Sequence, residues 1–121
     1  MRIHPMQFLL ILVLIAGCQR SLEPELLDNV ISVTITDQDI FEYKTGIGGD
    51  EEGAVITVQA QHYEISEIVR NSETNFEAVY RYKAKIGFKG SDYVEIETRT
   101  GSDGASPPPE INTIGINIVV N

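Results

Sequence analysis

From Val30 onward the side chains alternate between apolar and polar with a period of two, and that pattern confines the chain to strands buried on one face. Ile31, Val33 and Ile35 fall on one side of such a strand, and Ser32, Thr34 and Thr36 on the other. β-branched residues fill most of these positions, as a pleated, half-buried surface favours. Phe41 to Lys44 reads as a short second strand. Val55 to Tyr63 reads as a third, with Ile56, Val58 and Ala60 facing inward. Glu64 to Arg70 fits either a continuing strand or a helical turn. Phe76 to Lys85 puts Phe76, Ala78, Tyr80, Tyr82 and Ala84 on one face, and Glu77, Val79, Arg81, Lys83 and Lys85 on the other. Val94, Ile96 and Thr98 then point inward, with Tyr93, Glu95, Glu97 and Arg99 outward. Ile114, Ile116, Ile118 and Val120 close the chain.

The breaks between these runs carry turn chemistry. They are Asp37 to Ile40, the Gly-rich acidic Thr45 to Gly53, Asn71 to Asn75, Ile86 to Asp92, and Gly101 to Glu110 with its three prolines. Six or seven short strands without a sustained helical period predict an all-β fold, an antiparallel β-sandwich of about seven strands over residues 30–121. A closed barrel is the alternative.

The first residues obey a different rule. Arg2 and His4 precede the apolar run Met6 to Gly17, which would be about 18 Å long as a helix, against a hydrocarbon core of roughly 30 Å. That is too short to span a bilayer, and the positive start and small residues at its exit are those of a secretory signal. Its ending, Leu14-Ile15-Ala16-Gly17-Cys18, resembles the lipobox of bacterial lipoproteins. The resemblance implies a signal peptide over residues 1–17, cleavage between Gly17 and Cys18, a lipid on the Cys18 thiol and a lipidated tether over residues 18–29. Two or three acyl chains hold a protein at a bilayer essentially permanently. Gln19 after the cysteine, by resemblance to enterobacterial sorting, implies the outer membrane. The expected address is thus the bacterial cell envelope.

The chain has 18 acidic and 9 basic residues, a net charge of −9, one Cys, two His and no Trp. Loss of Arg2 with the leader takes the charge from −9 to −10. Such acidity argues against nucleic-acid binding and against a domain lying flat on anionic lipid. The lone Cys excludes a disulfide framework and a multi-Cys metal cluster.

The segment from Tyr82 to Ile96 resembles the pattern Y-x-P-x-x-G-F-x-G-x-D-x-F-x-Y near the end of bacterial cadherin-like and immunoglobulin-like domains. Tyr82, Gly87, Phe88, Gly90 and Asp92 fit it, and Ala84 stands where the family has proline. The resemblance implies an immunoglobulin-like sandwich. Independently, Gly87 and Gly90 permit positive φ at a tight corner, Phe88 can plug the end of the sandwich, and Asp92 can bond loop amides.

Chemistry is sparse. Asp50, Glu51, Glu52 and Asp103, with Asp92, offer oxygens for calcium, but without the ligand spacing of a calcium loop. His62 has no second mature His or Cys beside it. Ser66, Ser72, Ser91, Ser102 and Ser106 sit in no nucleophile-elbow pattern, so a hydrolase would rest on His62 alone. The basic stripe Arg81, Lys83 and Lys85 is expected to face Glu95 and Glu97 across a hairpin. These readings favour a non-enzymatic interaction module without a cofactor, joined to the membrane through Cys18 and to a protein partner through its folded domain. A calcium-dependent adhesion or carbohydrate-binding module is the alternative, and a cryptic hydrolase the second.

Overall fold

A computed structural model describes residues 29–101 and 110–121. The segment expected to be a signal peptide, Cys18, the expected tether to Asp28, and Asp103 with the three prolines lie outside the described residues. Seven strands form: β1 (Val30–Ile35), β2 (Phe41–Lys44), β3 (Gly53–Val58), β4 (Tyr63–Val69), β5 (Val79–Ala84), β6 (Gly90–Arg99) and β7 (Ile111–Val120). One 3-10 turn, Ser72–Thr74, joins β4 to β5.

The strands divide into two packed sheets, ordered β1-β7-β6-β3 and β2-β5-β4. This is an all-β sandwich of seven strands. The partition of β2, β5 and β4 from β3, β6 and β7 is the one used by immunoglobulin-type sandwiches. β1 departs from a purely antiparallel arrangement, pairing parallel with β7 from Val30 opposite Gly115 to Ile35 opposite Val120. The other ladders are antiparallel.

The core lies between the sheets. Tyr80, Tyr82 and Ala84 of β5 meet Val94 and Ile96 of β6, Ile116, Ile118 and Val120 of β7, and Ile35 of β1. Each aliphatic side chain so buried contributes roughly 1.5–3 kcal/mol. Period-two alternation puts these residues there, and the alternation of β6 and β7 holds over their central positions.

Three strand boundaries differ from the sequence reading. The run Val55 to Tyr63 is not one strand, because the chain leaves the first sheet after Val58 and joins the second at Tyr63. Glu64 to Arg70, open between two readings, is mostly strand β4. Phe76 does not join the inward face of β5. Asn75 and Phe76 both take left-handed backbone, φ 55° and 61°, and Phe76 is left 58% exposed. Val79, expected outward, is buried, flanked in register by Lys44 and Val69.

The expected hairpin between β5 and β6 is absent, since the two strands belong to different sheets. The basic stripe is therefore matched elsewhere. Arg81 Nε lies 3.0 Å from Glu42 Oε1 of β2, and Lys83 Nζ 3.4 Å from Glu64 Oε2 of β4. Glu97 instead meets Arg99, and Glu95 accepts from the Tyr93 hydroxyl at 2.7 Å.

Candidate functional site

The topology sorts the connecting segments into two ends. Links β1–β2, β3–β4 and β5–β6 gather at one end with Asn121; links β2–β3 and β4–β5, the end of β6 and the start of β7 gather at the other. The two ends differ in chemistry.

The first end is built around the β5–β6 link. Phe88 N–H donates to the Lys85 carbonyl at 2.9 Å, closing a turn with Ile86 and Gly87 at its centre. Gly87 has φ +86°, which a type II turn demands at its third position and glycine supplies without strain. Its N–H donates to Asp37 at 2.9 Å, fastening the turn to the β1–β2 link and lowering the pKa of the Asp37 carboxyl. Ile86 is thrust outward and left 67% exposed. Phe88 packs against the core from its half-buried position, and its ring stacks on His62 with centroids 4.3 Å apart and planes 9° from parallel. Gly90 leaves room for this, because a Cβ there would stand 3.3 Å from the Phe88 ring. Gln61, His62, Tyr63, Glu64, Lys85 and Ile86 line an open concavity of about 720 Å³.

Beneath that rim sits Asp92. Its carboxylate accepts from the Gln61 and His62 amides, both at 2.9 Å, from the Tyr82 hydroxyl at 2.9 Å and from the Tyr93 amide. Burial pushes its pKa up, but these donors outweigh burial, and the net direction is below the ordinary carboxylate value. A second polar strut lies nearby. Ser66 Oγ donates to Gln59 Oε1 and lies 2.7 Å from the Tyr80 hydroxyl. No buried side-chain polar atom among the described residues lacks a partner.

The opposite end is acidic and ordered by Arg70. Its guanidinium donates to three main-chain carbonyls: Phe76 at 2.6 Å, Glu52 at 2.8 Å and Gly49 at 2.7 Å. Glu52 closes the loop from within, accepting from the Gly48 and Gly49 amides at 3.2 and 3.0 Å. Glu77 accepts from the Gly46 amide at 3.0 Å. The guanidinium thus occupies the carbonyl oxygens of Gly49 and Glu52 within the acidic loop. Asp50 and Glu51 stay on this loop, Asp92 lies at the far end, and Asp103 is outside the described residues. Among the described residues no group of three or more His, Cys, Asp or Glu converges as a metal site.

His62 lies on the exposed rim, and among the described residues its ring makes no hydrogen bond to a serine or a carboxylate. Ser66 is buried against Gln59 and Tyr80, and no described helix is long and apolar enough to cross a membrane. Sequence reasoning missed Arg70, whose partners lie 6 to 21 positions away, and the Gln59–Ser66–Tyr80 strut. Comparison with protein-family models, curated proteins and solved structures returned no match for the chain.

Proposed function

We propose that the chain is a lipid-anchored, non-enzymatic interaction module of the bacterial cell envelope. Cys18 holds it at the outer membrane, and a single immunoglobulin-like or cadherin-like sandwich meets a protein partner. The observation that carries this reading is the polarity of the sandwich. Asn29, bonded to Gly115 midway along β7, leaves the sheet in the direction of the acidic end, where Asp50, Glu51, Glu52, Glu73, Glu77 and Glu110 stand. Ile86, the His62–Phe88 stack, Lys85 and Lys89 are on the other.

Ten residues separate Cys18 from Asn29, a reach of about 35 Å when extended. An acidic end facing anionic lipid keeps the domain off the surface. An exposed apolar rim, where Lys85 and Lys89 stand among Asp37, Asp39 and Glu64, is the surface a partner would meet. The lipobox resemblance of Leu14 to Cys18 supports the anchor, and the Tyr82 to Asp92 pattern supports the domain family.

Metabolic labelling with a fatty acid tests the anchor. Wild type takes the label, and Cys18→Ser loses it; labelling that persists in Cys18→Ser overturns the anchor. Photo-crosslinking in intact cells from position 86, against position 55 on β3, tests the rim. A specific adduct from position 86 alone supports it, and equal yields from both positions overturn it.

A further inference from the structure

A sheet edge exposes a row of unpaired backbone groups and invites another strand unless charge, a bulge or brevity guards it. Three of the four edges here are guarded. β2 is four residues long and carries Glu42 and Lys44. β4 carries Glu64 and Glu67, and its register shifts after Tyr63. β3 has a register shift between Ile56 and Val58 and packs against β4. Among the described residues β1 has none of these devices. Its sequence, Val30-Ile31-Ser32-Val33-Thr34-Ile35, is uncharged and almost wholly β-branched, and it runs in unbroken register.

We infer that β1 is a self-pairing edge. Two copies of this chain join β1 to β1, antiparallel, about a two-fold axis through Ser32, and so form one continuous eight-stranded sheet. The hydrogen bonds to β7 fix this register. Gly115 N–H donates to the Asn29 carbonyl and Asn121 N–H to the Ile35 carbonyl, both at 2.9 Å. In a parallel ladder that pattern commits the main-chain groups of Asn29, Ile31, Val33 and Ile35 to β7. Those of Val30, Ser32 and Thr34 therefore point to the open edge.

An antiparallel partner must match these three residues with three of the same orientation. Centring on Ser32 does so, setting Val30 opposite Thr34 of the second copy and Ser32 opposite Ser32, for six main-chain hydrogen bonds. Sliding the axis to Val33 would require the Thr36 amide, which already donates to Asp39 Oδ2 at 2.9 Å. The same register covers an apolar side chain that the monomer leaves bare. Ile31 turns toward the inner face yet is 37% exposed, and Val33 of the second copy falls directly opposite it. A second copy supplies all of this from residues the chain already has. Its acidity opposes approach only weakly, because charges separated by more than about 8 Å are largely screened at 0.15 M salt and β1 itself carries none. The inference rests on β1 and not on lipidation of Cys18.

The test uses the full-length chain in detergent carrying Cys18→Ser, so that an added thiol is the only one. Ser32→Cys puts two thiols on the axis with Cα atoms about 5.5 Å apart, inside the roughly 4.4–6.8 Å that a disulfide spans. Thr34→Cys and Val119→Cys hold theirs too far apart. Mild oxidation should link Ser32→Cys into a dimer and leave the other two monomeric. Sedimentation in 0.15 M salt should give the mass of two chains for the parent and one for Ser32→Glu, with the strand signal in circular dichroism unchanged. A single-chain mass for the parent up to about 1 mM, the weak end of specific association, overturns the inference. So does linking of Thr34→Cys as fast as Ser32→Cys.

Discussion

The hydroxyl of Tyr82 on β5 donates to the carboxylate of Asp92 on β6 at 2.9 Å, so one bond ties a strand of each sheet to the only buried charged side chain among the described residues. Asp92→Ala would leave that hydroxyl and the amides of Gln61 and His62 without their acceptor, and a loss of about 2–4 kcal/mol is expected. Tyr82→Phe should cost about 1–2 kcal/mol. Urea unfolding of both single variants and the double measures the coupling, which should exceed about 0.5 kcal/mol for groups in direct contact.

The pH dependence of that bond has a definite sign. The carboxyl of Asp92 has a pKa below its unfolded value, so its contribution is present above the ordinary carboxylate range and is lost as pH falls through the lowered native value. Acid unfolding of wild type should therefore show a downward slope of stability below about pH 4. Asp92→Asn should be less stable at neutral pH and show a shallower slope.

Alkaline titration reports on the tyrosines. Burial pushes the Tyr80 hydroxyl up to about 12, with the Ser66 bond partly opposing. Desolvation and the bond to Glu95 push Tyr93 up to about 12. Burial and Asp92 push Tyr82 in the same direction. A raised native pKa gives stability that is whole below the unfolded value near 10 and lost as pH rises through the native one. Ultraviolet titration should thus show Tyr80, Tyr82 and Tyr93 ionising late, together with loss of the strand signal.

Arg70 holds the acidic loop through three carbonyl oxygens at fixed angles. Arg70→Lys should fail to replace it, because an ammonium cannot present the planar fork. Hydrogen exchange at Gly48, Gly49 and Glu52 should rise by about an order of magnitude, consistent with roughly 1.4 kcal/mol of local opening. Exchange in β6 and β7 should not change.

Gly87→Ala should destabilise by about 1 kcal/mol, the strain of a side chain at φ +86° with open space around it. Gly53→Ala, where a Cβ also meets nothing but the backbone has no positive φ, should be close to neutral. Thermal unfolding of the pair separates strain from crowding.

The alternation of β1, β6 and β7 was legible because one face of each is buried and period two records that directly. Sheet membership was not. Ile56, Val58 and Ala60 continue a pattern that the chain abandons at Val58, and period two does not register a strand changing sheets. For the same reason Arg81 and Lys83 were matched to Glu95 and Glu97, when Glu42 and Glu64 stand nearest. The turn at Gly87 and the buried position of Asp92 follow from local chemistry. Arg70 could not be found, because a guanidinium bound to carbonyls leaves no complementary residue type to search for. Phe76 failed because two consecutive left-handed residues, neither of them glycine, have no signature in the sequence.

The parallel pairing of β1 with β7 also sets a timetable. Val30 and Gly115 are 85 positions apart, and closing a loop of that length costs about 4 kcal/mol of chain entropy before any contact repays it. A chain that emerges amino end first holds β1 without its neighbour until β7, Ile111–Val120, is free. Folding dominated by such distant pairings is slow, in the range of milliseconds to seconds. During that interval both edges of an uncharged, β-branched strand are open. The time of greatest exposure for this molecule comes before β7 is available, and loss of β7 would make that exposure permanent.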